Sequence, residues 1–322
     1  MGITVRPAAR WPEKLRDQLA EICGSHGTGI VPLKPVINDN LLNNNYFAGA
    51  TGKWTTGQRF GPSELSYGTV VRATSTVTIP FRDSIPYDHL LAYCVAGPGL
   101  HAWSLLADGA TVGSCGGDAP TATATKAISS SLPLRIHKSA LLCLTAPCEA
   151  YAVEGSAGST GVSVDNIAVG GCTAECFGDV PERQMAFADL ISGDIALTII
   201  SLIANEPGAS FSTDHFGTAL TRLISYEKAR SKPPSILVYA PLLDDIAHQE
   251  AYYPLLKQIA ASQKVAYFDM RERWGTTWVP SFFGPDGRHE NGRGHREVYR
   301  AVAEALFGHS PAPNAKRKRT VQ

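Results

Sequence analysis

Residues 195–205 read Ile-Ala-Leu-Thr-Ile-Ile-Ser-Leu-Ile-Ala-Asn and lead directly into Glu206-Pro207-Gly208. A continuous apolar run closed by a turn signal is the pattern of a strand buried on both faces. Three further runs share it: Val162–Val169, Ser235–Leu243 and Lys264–Met270. The stretches between and after them carry helical spacing instead. Phe216, Leu220, Leu223 and Ile224 mark one helix face, Leu255, Leu256 and Ile259 a second, and Val298, Val302 and Leu306 a third. Strands alternating with helices predict an α/β fold, a parallel sheet covered on both faces, over residues 161–310. Near the amino terminus, Trp11, Leu15, Leu19 and Ile22 predict one more helix, with Pro12 suited to its first turn and Gly24 to its end.

Upstream of the α/β pattern the period changes. Val77, Ile79 and Phe81 alternate, and His89–Gly97, His101–Cys115, Leu132–Ala146 and Glu149–Gly155 come next, between turn signals. This predicts a β-sandwich or jelly roll over residues 61–160, inserted between residues 1–60 and 161–310 of the α/β domain. Aromatics here, such as Tyr67, Tyr93 and Trp103, either stack on sugar rings or fill the sandwich core. From Gly27 to Pro62 no periodicity is sustained, and the segment reads as a long irregular connection. Residues 311–322 read as a disordered, solvated basic tail.

Composition narrows the function classes. The 322 residues are 44% apolar and 18% charged, with 29 basic and 29 acidic side chains, so a large core forms and nothing in the balance suggests a nucleic-acid partner. No apolar run reaches the length of a membrane span. The start lacks the apolar stretch of a signal peptide, so the chain as written is expected in the cytoplasm, or exported if a longer amino terminus carries a leader. Seven cysteines show no paired C-x-x-C spacing, which argues against structural zinc. Cys143 with Cys148 and Cys172 with Cys176 are close enough to bridge in an exported protein, although spacing alone does not fix connectivity.

Three local signals carry chemistry. Asp286-Gly287-Arg288-His289 sits on a loop before the last predicted helix; an Asp three residues before a His can hold one ring nitrogen while the other serves as a base. The plain alternative is a surface loop with a capping Asp. Asn205 lies just after a buried strand, where ligands of open α/β sheets sit and where an amide can donate to an oxyanion; the alternative is a turn Asn. Gly170-Gly171 closes another apolar run, and either presents a backbone N–H or makes a tight turn. His289 and His295 fit no common zinc spacing.

In that order, Gly, Asn and Asp-x-x-His resemble the SGNH/GDSL hydrolase family over residues 1–60 and 161–308. The segment His289-Glu-Asn291-Gly-Arg-Gly294-His295 matches the H-x-N-x-x-G-H with which its last block often continues. The resemblance implies a flavodoxin-like three-layer core and an ester hydrolase of the carbohydrate O-acetyl esterase kind, with no cofactor or metal. It assigns His289 as general base, Asp286 as triad carboxylate, and Gly171 and Asn205 as oxyanion donors. It implies a glycan or small-molecule ester as partner, and the insert resembles carbohydrate-binding modules of such esterases. Two departures stand out: block three reads Ile203-Ala204-Asn205 where the family has G-x-N, and no Gly-Asp-Ser occurs anywhere. Met1-Gly2-Ile3-Thr4 resembles a G-D-S-I-T motif that lacks its Asp and Ser, and Ser25 lies after the first helix, where relatives carry a glycine-rich loop. The nucleophile is therefore unassigned, and a non-catalytic glycan-binding relative is the alternative.

Overall fold

Helix α1 (Trp11–Cys23) forms where the apolar spacing predicts it and presents Leu15 to the interior. The structure is a computed structural model that describes residues 11–23, 27, 31–33, 50–59, 68–81, 85–158, 161–165, 172–185, 189–190, 195–203, 205–206, 212–242, 249–275, 279–284 and 290–308. After α1, ten strands lie among the described residues: β1 (Val31–Pro32), β2 (Trp54–Arg59), β3 (Gly68–Ala73), β4 (Val77–Phe81), β5 (His89–Ala96), β6 (Ala102–Ala107), β7 (Ala110–Gly116), β8 (Thr123–Ile128), β9 (Ser139–Cys143) and β10 (Cys148–Ser156). They make two antiparallel sheets, one in the order β2-β3-β10-β5-β8 with β1 also paired to β10, the other β4-β9-β6-β7.

The sheets face each other across one core, to which the first contributes Val71, Ala92, Cys94 and Ala150 and the second Ile79, Phe81, Trp103, Leu105 and Leu141. Strands β4 and β9 alternate buried and half-buried residues, the signature of one covered face. Strands β5 and β10 are buried almost throughout: on their other face Leu91, Tyr93, Val95 and Tyr151 form a second apolar cluster with Val70 of β3 and Leu100, against which Leu190 packs. A disulfide between Cys143 and Cys148 ties the end of β9 to the start of β10, and so one sheet to the other.

The later part contains α2 (Glu175–Gly178), α3 (Pro181–Gln184), β11 (Leu197–Ser201), α4 (Thr213–Lys228), β12 (Ser235–Ala240), α5 (Tyr252–Ser262), β13 (Ala266–Asp269), α6 (Arg271–Trp274), a 3-10 turn (Pro280–Phe282) and α7 (Gly292–Phe307). Strands β11-β12-β13 are parallel, with Leu197 opposite Ser235 and Leu237 opposite Ala266. Successive residues point to opposite faces. Ile200, Ile236, Val238 and Ala240 meet Phe216, Leu220 and Ile224 of α4 and Tyr253, Leu256 and Ile259 of α5. Tyr239, with half-buried Ile199 and Phe268, meets Leu15 of α1 and Val298, Ala301 and Val302 of α7. The fold is therefore mixed α/β, with three sheets among the described residues, of which the two larger are antiparallel.

Two expectations need correction. The segment Gly27–Pro62, read as irregular, contributes β1 and β2 to the larger antiparallel sheet. Val31 lies opposite Val153, and Trp54 opposite Ala73, partners far away in sequence. The run Val162–Val169, read as a strand, forms none over its described residues 162–165, and the remainder lies outside the described residues.

Candidate functional site

Asn205 lies four residues beyond the end of β11, on the side where the carboxyl ends of open parallel strands carry ligands. Its Nδ2 donates to the carbonyl of Cys172 at 2.8 Å. That contact fixes the amide, since only the nitrogen can face a carbonyl, and it uses one of two N–H bonds. Among the described residues the second N–H meets no acceptor and is left for another. This half-engaged geometry suits an oxyanion donor, and it exceeds what an Asn bonded to its own backbone in a turn would show.

Glu206 is fully buried, with 0% of its surface exposed. One carboxylate oxygen accepts from Ala174 N at 2.9 Å and the other from Asn205 N at 3.2 Å. Burial pushes this carboxyl above the ordinary value, and the backbone N–H groups around it pull it back down. The loop after β11 and the segment entering α2 are thus joined by both residues at once. The second segment is itself braced by the Cys172–Cys176 disulfide, and on it Thr173 is buried with its hydroxyl unpartnered among the described residues.

Gly171, Asp286, His289 and Ser25 lie outside the described residues, as do Tyr67 and the tail from residue 309. The flanks of the Asp286–His289 segment are described, and they explain the Asn and the Gly of the H-x-N-x-x-G-H pattern. Asn291 caps α7, accepting at Oδ1 from Arg293 N at 2.8 Å and Gly294 N at 3.1 Å. Its Nδ2 donates to Ser281 O at 3.0 Å and Phe283 O at 2.7 Å. Gly294 lets the helix approach this turn, because a Cβ there would lie 2.1 Å from the Phe282 carbonyl oxygen. Phe283 and Glu290 form a bridge, and Asn291 N donates to Phe282 O at 2.9 Å. The residues flanking the Asp286–His289 segment on its two sides are therefore held against each other.

Other groups bear on ligands less directly. Glu175, Asp179 and His215 place one donor atom each within 4.8 Å of the others. Asp179 Oδ1 and His215 Nε2 already satisfy each other at 2.9 Å, and Ser212 caps α4 through His215 N, so helix termini account for the group. A cavity of about 540 Å³ lies between α5 and β13. Its Arg271 is committed to Asp269 and lies 3.4 Å over the Tyr253 ring. Tyr93 and Trp103, considered for sugar stacking, are 1% and 0% exposed and belong to the apolar clusters of the sandwich. Among the described residues no helix is long and apolar enough to cross a membrane.

No protein-family model matches the chain, and neither does any curated protein sequence. Among solved structures the chain is similar to a peptidoglycan O-acetylesterase, at a TM-score of 0.66 and 18% identity, covering 92% of this chain and 86% of that one. It is also similar, at a TM-score of 0.40 and 18% identity, to an acetyl xylan esterase from Geobacillus stearothermophilus, covering 48% of this chain and 76% of that one. A family two carbohydrate esterase from Clostridium thermocellum is similar at 0.33 and 13%, covering 80% and 99%. The first comparison shows a shared fold across most of both chains.

Proposed function

We propose that this chain is an SGNH-type carbohydrate O-acetyl esterase, built on a three-layer flavodoxin-like core with an inserted β-sandwich. The observation that carries the reading is the Asn205 amide, oriented by Cys172 O beyond a parallel strand and holding one N–H in reserve. The fold shared with the peptidoglycan O-acetylesterase supports the choice of an acetylated glycan as substrate. In the mechanism, a serine Oγ attacks the acetyl carbonyl while His289 takes its proton and Asp286 holds the imidazole. Gly171 N–H and the free Asn205 N–H receive the charge that gathers on the carbonyl oxygen. Collapse of the tetrahedral intermediate expels the sugar oxygen, protonated by the His289 imidazolium. Water then attacks the acetyl-enzyme, His289 again acting as base, and acetate leaves.

The test is fluorophosphonate labelling of the purified chain beside His289→Ala, with the modified residue mapped by mass spectrometry and aryl acetate hydrolysis followed in parallel. A label on one serine that His289→Ala abolishes, with turnover falling about 10³-fold or more and thermal unfolding unchanged, is the expected result. The absence of any Gly-Asp-Ser triplet favours one second reading, a glycan-binding relative without a nucleophile. Glycan binding with neither label nor hydrolysis would establish that reading and overturn the first.

A further inference from the structure

We propose that Glu206 is a positioning residue that sets the oxyanion donors by clamping the loop after β11 onto the segment entering α2; this rests on the esterase reading above. A fully buried carboxylate is costly unless its oxygens are satisfied, and among the described residues no lysine or arginine pairs with Glu206. Backbone N–H groups satisfy it instead, one from each of the two segments that the oxyanion assignment requires: Ala174 N at 2.9 Å, just after Gly171, and Asn205 N at 3.2 Å. A carboxylate can accept at both oxygens in this way, whereas an amide cannot.

The Asn205 side chain crosses in the opposite sense, donating to Cys172 O at 2.8 Å. The two segments are thus held at two points within a few residues, Glu206 to Ala174 and Asn205 to Cys172, and the Cys172–Cys176 bridge removes slack from one of them. Glu206 does not extend to the substrate. It fixes where the Asn205 backbone starts, and so where the remaining Nδ2–H lies. Donors of this kind act on charge that develops only in the transition state, so a shift in their position lowers turnover and leaves substrate binding intact.

The test compares the full chain with Glu206→Gln and Glu206→Asp by peptide-level hydrogen exchange and by aryl acetate kinetics. In Glu206→Gln the amide nitrogen faces an N–H donor, so exchange should rise in the peptides containing Ala174 and Asn205 and stay unchanged over the sandwich. With this, kcat should fall about 100-fold at constant KM. Glu206→Asp keeps the charge on a shorter arm, reaches one amide of the two, and should recover part of the lost kcat; it also serves if the Gln variant does not fold. Unchanged exchange at both segments overturns the clamp, and raised exchange with wild-type kcat overturns its role in positioning. If the unsubstituted chain shows no hydrolysis or label, the esterase reading fails and the positioning role fails with it. Exchange then decides the clamp alone, as a structural device.

Discussion

Strands β4 and β9 of the sandwich alternate buried and half-buried residues, whereas β12 of the parallel sheet is buried continuously from Ile236 to Ala240. The sandwich is held mainly by shape: two sheets interdigitate around Trp103 and Phe81, with the Cys143–Cys148 disulfide and the buried Tyr87–Ser139 hydrogen bond between them. The parallel sheet is held the same way, with apolar helices on each face, yet the loops beyond its strands are held by something else. Asn205, Glu206, Asn291 and Gly294 fix them through hydrogen bonds and close backbone approach. Chemistry placed on such loops is oriented by a few polar contacts, each replaceable without touching the core. The two regions should therefore fail differently under mutation.

The largest effect belongs to the sandwich. Trp103→Ala removes a side chain with no exposed surface from the centre of the inter-sheet core, and should cost about 3–5 kcal/mol in urea unfolding. A loss below about 1 kcal/mol would mean that the two sheets are not held by volume, and the contrast would fail. Near the site the corresponding change is Gly294→Ala. Its new Cβ would lie 2.1 Å from Phe282 O and 2.8 Å from the Glu290 side chain, and the first neighbour is backbone that cannot rotate away. Moving α7 off the turn should cost about 1–3 kcal/mol. Ester turnover should drop by more than this stability loss explains, because the described residues flanking the Asp286–His289 segment move apart. Equal stability with normal turnover would show that Gly294 is not what holds these flanks together.

How far this contrast is visible in the sequence depends on the range of the interaction. The faces Phe216/Leu220/Ile224 and Val298/Val302 come from spacing within one helix, and Val77/Ile79/Phe81 from alternation within one strand. Strands β1 and β2 do not announce themselves. Trp54-Thr-Thr-Gly-Gln-Arg59 is an edge strand whose only apolar anchor is Trp54, and its order comes from pairing with β3. At the site, the identities of Asn205, Asn291 and Gly294 were legible as a motif, while the reason for two of them was not. Asn291 and Gly294 serve the turn at Phe282–Phe283, which no spacing rule connects to them. Glu206 was illegible for another reason: an acid beside Pro207-Gly208 reads as a solvated turn residue, and only the fold shows it buried against Ala174.

The smallest expected effect tests the sandwich at a buried carboxyl. Glu154 is buried on the outer face of β10 and accepts from Tyr93 Oη at 2.6 Å. Desolvation by burial raises its pKa, with Asp165 adding to the rise, while the Tyr93 hydrogen bond and Lys126 oppose it. A carboxyl whose folded pKa lies above its unfolded value of about 4.3 holds its proton longer in the folded state. Its contribution to stability is therefore complete below that value and is lost as pH rises through the folded pKa. Glu206 tilts the curve in the same direction, whereas Asp88 and Asp108, both lowered, act at the acid end with the opposite sign. The informative quantity is consequently the difference between the chain and Glu154→Gln, measured by urea unfolding from pH 4 upward. The chain should lose stability relative to the variant as pH rises, by no more than about 1.4 kcal/mol per pH unit, the limit for one proton. A difference that is flat or rises with pH would mean that Glu154 stays ionised in the folded state, sustained by Lys126 and Tyr93. The sandwich would then share with the site loops the habit of fixing its geometry through a charged group.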